Sequence, residues 1–324
     1  MSAFIYRPAR TAAFLAALVA ATLTATPVLA AAPMAKTNAP GYFRLMLGDV
    51  EVTALSDGTV VLPVNKLLTH TTTAHVDQKL AQSFLASPLE TSVNAYLINT
   101  GDKLVLIDGG AGTLFGPTLG KLVANLKASG YQPEQVDEIY VTHMHSDHVG
   151  GLAAGEQRAF PNAVVRADKR ESDYWLDPAN LAKASADKKG FFQGAVASLG
   201  PYVKAGKYLP FEGNVELVPG VRAYASKGHT VGHSSYMVES KGQKLLLIGD
   251  LIHVGAVQFD EPDVTISFDG DEQAAAAERN KTFAAAAGAG YLLGATHLSF
   301  PGIGHVRAQG KSYRWVPLNY TQLP

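Results

Sequence analysis

At 324 residues with 47% hydrophobic side chains, the chain is long enough for one large α/β domain or two small ones, and needs no covalent staples. It holds no cysteine, which excludes disulfides, thiolate metal sites and cysteine nucleophiles; ten histidines remain to build a metal site with carboxylates. A formal net charge of −1 offers no broad attraction to nucleic acid or anionic lipid, and suits a small, nearly neutral substrate.

Along the chain, Arg7 and Arg10 precede an Ala-rich apolar run over residues 11–26, followed by Pro27 and small residues through Ala32. This pattern predicts a signal peptide over residues 1–32, export to the periplasm or beyond, and a single domain over 33–324. The run is short for a membrane anchor, and nothing after residue 35 could span a bilayer. Cleavage would leave 27 − 2 = 25 basic against 28 acidic side chains, a balance of about −3.

Alternating segments at 45–55 and 59–63 read as strands, with Asp57-Gly58 between them as a hairpin signal. Residues 65–87, helix-like over 76–84, read as a lid or edge. Apolar runs at 92–98 and 103–107 form a second hairpin around Asn99-Thr100-Gly101-Asp102. Leu119, Leu122, Val123 and Leu126 share one face of a helix over 118–129, which Gly130 stops. Strands follow at 138–142, 163–167, 221–226, 235–239 and 244–248, then an Ala-rich helix over 271–287. No Gly-x-Gly-x-x-Gly turn follows any strand, so the order argues for a layered α/β sandwich rather than a dinucleotide fold.

The most informative stretch is Val141-Thr142-His143-Met144-His145-Ser146-Asp147-His148-Val149-Gly150-Gly151, with four ligand-type side chains in six positions after a strand. In a regular strand His143, His145 and Asp147 would share a face, whereas a turn into a helix would swing Asp147 and His148 to a neighbouring point. Three further candidates also sit at strand ends: Gly228-His229-Thr230-Val231-Gly232-His233, Ile248-Gly249-Asp250 and Ala295-Thr296-His297.

These residues resemble the metallo-β-lactamase superfamily, whose His-x-His-x-Asp-His signature is matched at 142–148. The resemblance implies an αβ/βα sandwich with two mixed sheets flanked by helices. It implies two divalent ions, zinc first, with manganese, cobalt or iron as alternatives. One would be held by His143, His145 and His229, the other by Asp147, His148 and His297, with Asp250 bridging. His233 belongs to the motif but is expected beside the ligands rather than among them. The implied chemistry is hydrolysis by a hydroxide shared between the ions, with Asp250 and Asp147 as the catalytic carboxylates and Asp250 taking up the proton. Antibiotic-hydrolysing relatives use a Cys ligand or lack the bridging Asp, and diiron oxidoreductases carry Glu at the place of His145, so neither activity is expected.

The flanks narrow the resemblance. Ala39-Pro40-Gly41-Tyr42, Phe115-Gly116-Pro117-Thr118-Leu119 and the stretch from His297-Leu298-Ser299-Phe300 to Gly304-His305 look like methyl parathion hydrolase and its lactonase relatives, which are often homodimers. This implies a pocket of Phe115, Trp175, Phe191 and Phe268. His253, Ile266 and Phe268 look bulkier or more polar than in methyl parathion hydrolases, which favours a planar lactone or aryl ester over a phosphotriester. A methyl parathion hydrolase-type phosphotriesterase, a non-catalytic periplasmic metal-binding module and a nuclease stay open as other readings, the nuclease disfavoured by the missing basic face.

Overall fold

The computed structural model describes Met1, Ala3, residues 32–186 and residues 188–323. The expected leader, with its apolar run at 11–26, falls outside the described residues. The chain divides into Met1–Asn38 and Ala39–Pro324, and among the described residues the strands and helices belong to the second unit. Among the described residues no helix is long and apolar enough to cross a membrane.

Alternation of apolar residues dictates the layers. In the strand Leu89–Asn99, Ala95 and Leu97 face one way, Tyr96 and Ile98 the other; in Leu104–Ile107, Leu104 and Leu106 oppose Val105 and Ile107. A strand apolar at every position must be covered on both faces. Helices supply one cover through Leu122, Leu126, Phe192 and Leu199. A second sheet supplies the other through Val221, Ala223, Tyr236, Val238, Leu245 and Leu247. The outer face of that second sheet, at Leu246 and Leu293, meets Phe283 and Ala286 of the helix Glu272–Ala289. The molecule is therefore the αβ/βα sandwich expected from the sequence.

The first sheet runs in chain order: Tyr42–Leu47, Val50–Leu62, Leu89–Asn99, Leu104–Ile107, Glu138–Tyr140 and Val164–Arg166. The second does the same from Val215–Val218 through Val221–Ala225, Ser234–Ser240, Gln243–Leu247, Leu292–Gly294 and Ile303–Gln309 to Ser312–Pro317. Each sheet contains parallel pairings: Leu104–Ile107 with Glu138–Tyr140 and the latter with Val164–Arg166 in the first, Gln243–Leu247 with Leu292–Gly294 in the second. Parallel neighbours release their chains at the same edge, so the loops after Tyr140, Leu247 and Gly294 can meet.

Three local expectations are corrected. The hairpin turn lies at Gly48-Asp49, and Asp57-Gly58 is a bulge inside the single strand Val50–Leu62. The buried Asp57 carboxylate explains this, because it accepts the backbone N–H of Ala111, Gly120 and Leu122 at 2.9–3.0 Å, which pins the strand to a neighbouring loop. The same bonds delay the next helix, which spans Leu122–Ala128 rather than 118–129: Gly120 sits at φ +81° and its N–H is already committed. The strand expected over 138–142 ends at Tyr140, so His143 and His145 lie in a loop. Residues 65–87 form the helices Val64–Leu67 and Thr73–Gln82 and a short strand, Leu68–Thr69, paired with Thr265–Ile266. They wall in the segment that carries His253.

Candidate metal centre

His143, His145, His229 and Asp250 converge as one group, and Asp147, His148 and His297 as a second beside it. The turn into the short helix Ser146–Val149, rather than strand geometry, divides the motif: His143 and His145 stay on one side while Asp147 and His148 swing to the other. In the first group His143 Nε2, His145 Nδ1 and His229 Nε2 lie 3.0–3.2 Å apart. In the second, His297 Nε2 stands 3.5 Å from Asp147 Oδ2. Asp250 lies between them, with Oδ2 3.4 Å from His229 Nε2 and 3.1 Å from His297 Nε2, and Oδ1 3.2 Å from His148 Nε2.

These atoms fit a pair of cations. Donors tetrahedrally arranged around an ion at about 2.0–2.2 Å stand about 3.3–3.6 Å apart, close to the spacings found. Four imidazoles have Nδ1 against an acceptor, which turns Nε2 toward the centre as the atom a cation would take. His148 faces Asp108 at 2.8 Å, His229 faces Asp269 at 2.8 Å, His143 faces Thr142 Oγ1 at 3.1 Å and His297 faces the Ser92 carbonyl at 3.0 Å. His148 Nε2 and Asp250 Oδ1 are buried without any hydrogen-bond partner, an arrangement costing about 1–3 kcal/mol each unless a ligand takes them up.

The electrostatics agree. Burial, reinforced by neighbouring imidazoles, holds His143 and His145 well below the ordinary histidine value, so both are neutral donors. Burial also acts on His148 and His297, but the carboxylates of Asp250 and Asp147 outweigh it and raise both. Burial alone would raise Asp250, yet the surrounding imidazoles hold it well below the carboxylate range. The centre is built to hold positive charge.

Several supporting residues lie outside the ligand motifs. Glu171, fully buried, accepts the Met144 N–H at 3.0 Å and the Thr230 hydroxyl and Gly232 N–H at 2.8 Å, so one carboxylate ties the two histidine loops together. Asp108 accepts the Thr142 N–H and hydroxyl as well as His148. Its position after an apolar strand, like that of Asp250, was the available clue. Asp269 is set by the Ile266 N–H and stands 3.9 Å from the buried guanidinium of Arg279. His233 accepts the Asp250 N–H at Nε2 and packs its Nδ1 on Ser226 Oγ at 2.8 Å, placing it beneath the carboxylate.

Above the centre lies a cavity of about 20 Å³ lined by Phe115, Phe191, Phe268, His253, Val60 and Leu62 together with ligand-type side chains. That is room for a water or two. Trp175 and Ile266, expected in the pocket, do not line it: Trp175 is in the helix-side core with its ring 5.5 Å from His145, and Ile266 packs with Val64, Leu68 and Val257.

Among solved structures, a hydrolase described as AbOPH in the beta lactamase superfamily matches with a TM-score of 0.84 at 38% identity, covering 88% of this chain and 100% of its own. AidC, a dizinc quorum-quenching lactonase in complex with a product, matches in fold with a TM-score of 0.78 at 24% identity, covering 87% of this chain and 99% of its own. An N-acyl homoserine lactonase of Bacillus cereus is 28% identical over 131 residues, 40% of this chain and 43% of that protein. One from a Bacillus species is 28% identical over 181 residues, 49% of this chain and 64% of its own. The chain spans about half the length of these curated relatives. The sequence profile of the metallo-beta-lactamase superfamily matches residues 89–298, from the strand carrying Ser92 to the loop carrying His297. On that match and on the identity shared with AbOPH along its whole length, the chain belongs to the metallo-beta-lactamase superfamily.

Proposed function

We propose that this chain is a metal-dependent hydrolase with a centre for two divalent ions, zinc first, that opens aryl lactones and esters, with phosphotriester hydrolysis as a side activity. The observation that carries the reading is the convergence of seven donors on two adjacent points around Asp250, with bare imidazole nitrogens turned inward. A pair of ions so held polarises the scissile bond and supplies a nucleophile at neutral pH. No nucleophilic side chain is then required.

The residues supply the rest. Asp250, with one oxygen unpartnered, is placed to take a proton as the bond breaks. Phe115, Phe191 and Phe268 present ring faces suited to a flat substrate, and they must turn to admit one, since a ligand pocket usually measures about 300–1,000 Å³. His253 and the closed walls favour a planar ring over a tetrahedral triester with two alkoxy arms. The kinship to a hydrolase and to lactonases supports the same reading. Export through a leader over residues 1–32, a single catalytic domain over 33–324 and a homodimer belong to it as well.

A hydrolysis panel on the zinc-loaded protein tests it, comparing kcat/KM for dihydrocoumarin, aryl esters, acyl-homoserine lactones and methyl parathion. The expected order puts the lactones first. A clear preference for methyl parathion reverses the ranking, and inactivity on all four removes the proposal.

A further inference from the structure

We infer that His253 is an additional metal ligand, its Nε2 completing the coordination of the ion held by Asp147, His148 and His297. The inference rests on the two-ion reading above. It starts from a third convergence, Asp250, His253 and His297, that shares two members with the groups already described. His253 Nε2 lies 3.2 Å from Asp250 Oδ2, and Asp250 Oδ2 lies 3.1 Å from His297 Nε2. These are the separations of neighbouring donors on one small cation. The His253 and His297 rings stack at 5.0 Å with 20° between planes, so their edges can address one point.

Burial and anchoring strengthen the case. His253 is 3% exposed, and neither ring nitrogen has a hydrogen-bond partner. Two unpaired buried nitrogens are costly in a packed interior unless something absent from the protein itself engages them. The ring's place is fixed by its backbone: the N–H groups of His253 and Val254 both donate to Gln258 Oε1, at 2.8 and 2.9 Å, and Gln258 Nε2 donates to the Val264 carbonyl. The protein therefore aims an imidazole at Asp250 without using its side chain for support. Unlike the four imidazoles with Nδ1 held by an acceptor, His253 has a free Nδ1. That makes it a less firmly oriented donor, and it sets the expected effect at the lower end for a ligand.

The test uses the purified protein and its His253→Leu and His253→Gln variants, each loaded with zinc or with cobalt(II). Metal content per chain is measured, together with the affinity for the second ion by chelator competition and the visible cobalt spectrum. Thermal melting in the presence of zinc confirms folding. The expected result is two ions in the parent protein and at least about 10-fold weaker binding of the second ion in both variants, with a changed cobalt band. Gln keeps polarity next to Asp250 but is a poor donor to zinc, so a Gln variant with parental affinity and spectrum overturns the assignment in favour of a simple contact with Asp250. Unchanged affinity and spectrum in the Leu variant overturn it too. If the parent protein itself binds fewer than two ions, the two-ion reading fails, and the assignment falls with it; this outcome is distinguishable because it appears before any variant is compared.

Discussion

The two halves of the sandwich feed the centre differently. The first sheet delivers His143, His145, Asp147 and His148 from one loop and one short helix within six residues. The second sheet delivers His229, Asp250 and His297 from three separate strand ends, spread over almost seventy residues of chain. A compact motif can be specified by local turn geometry, whereas a dispersed set depends on parallel strands ending at the same edge. Each half also brings its own buried carboxylate to orient a histidine, Asp108 for His148 and Asp269 for His229. Asp250 and Glu171 join the halves, the first at the donors and the second behind them.

Asp250→Asn attacks the junction itself and carries the largest expected effect. A fall of about 10³-fold in kcat/KM is the scale for losing one preorganised charged group, and metal analysis should show a loosened ion. Full activity with two ions retained would remove Asp250 as the proton acceptor. Next, Asp108→Asn and Asp269→Asn separate the halves: each should weaken metal affinity about 10–100-fold, measured by chelator competition. If the halves act as described, the two losses fall on different ions, and losses on the same ion would break the comparison. Glu171→Gln is expected to cost about 1–3 kcal/mol in denaturant unfolding, because one of three accepted hydrogen bonds meets an amide nitrogen in place of an oxygen.

The smallest effect lies at the edge of the first half. Burial opposes ionisation of Asp168, but Arg170 and backbone N–H groups outweigh it and lower its pKa from 3.8. The folded value is thus below the unfolded one, so the stabilisation is present above about pH 4 and is lost as pH falls through the folded value. Asp168→Asn should lower the melting temperature slightly near neutrality and flatten that acid limb, so that the variant and the parent protein converge at low pH.

How much was legible follows the same division. The 142–148 motif declared itself, since four ligand types in six positions have few other uses, although a strand reading would have put Asp147 on the wrong side. The strand-end residues Asp250 and His297 stood out by position alone, but their assignment to particular ions came only with the family resemblance. Glu171 and Asp269 were invisible, because a carboxylate that supports a histidine does so across space and leaves no spacing in the chain. Asp57-Gly58 misled, since the same dipeptide serves a turn or a bulge, and three N–H groups from residues more than fifty positions away decided the matter. Trp175 and Ile266 were assigned to the pocket by analogy, but neighbouring apolar side chains enclose both.

The strand Val50–Leu62 has 13 residues and, at about 3.3 Å each, a reach of roughly 40 Å. Val52 and Ala54 sit in the packing between the sheets, while Val60 and Leu62 border the cavity. One strand, bent at the Asp57-Gly58 bulge, thus joins the packing between the sheets to the wall of the cavity, with Asp57 as the pin at its bend. Loosening that pin would shift Val60 and Leu62 while touching none of the seven donors, so the wall of the cavity depends mechanically on a carboxylate that lies outside it.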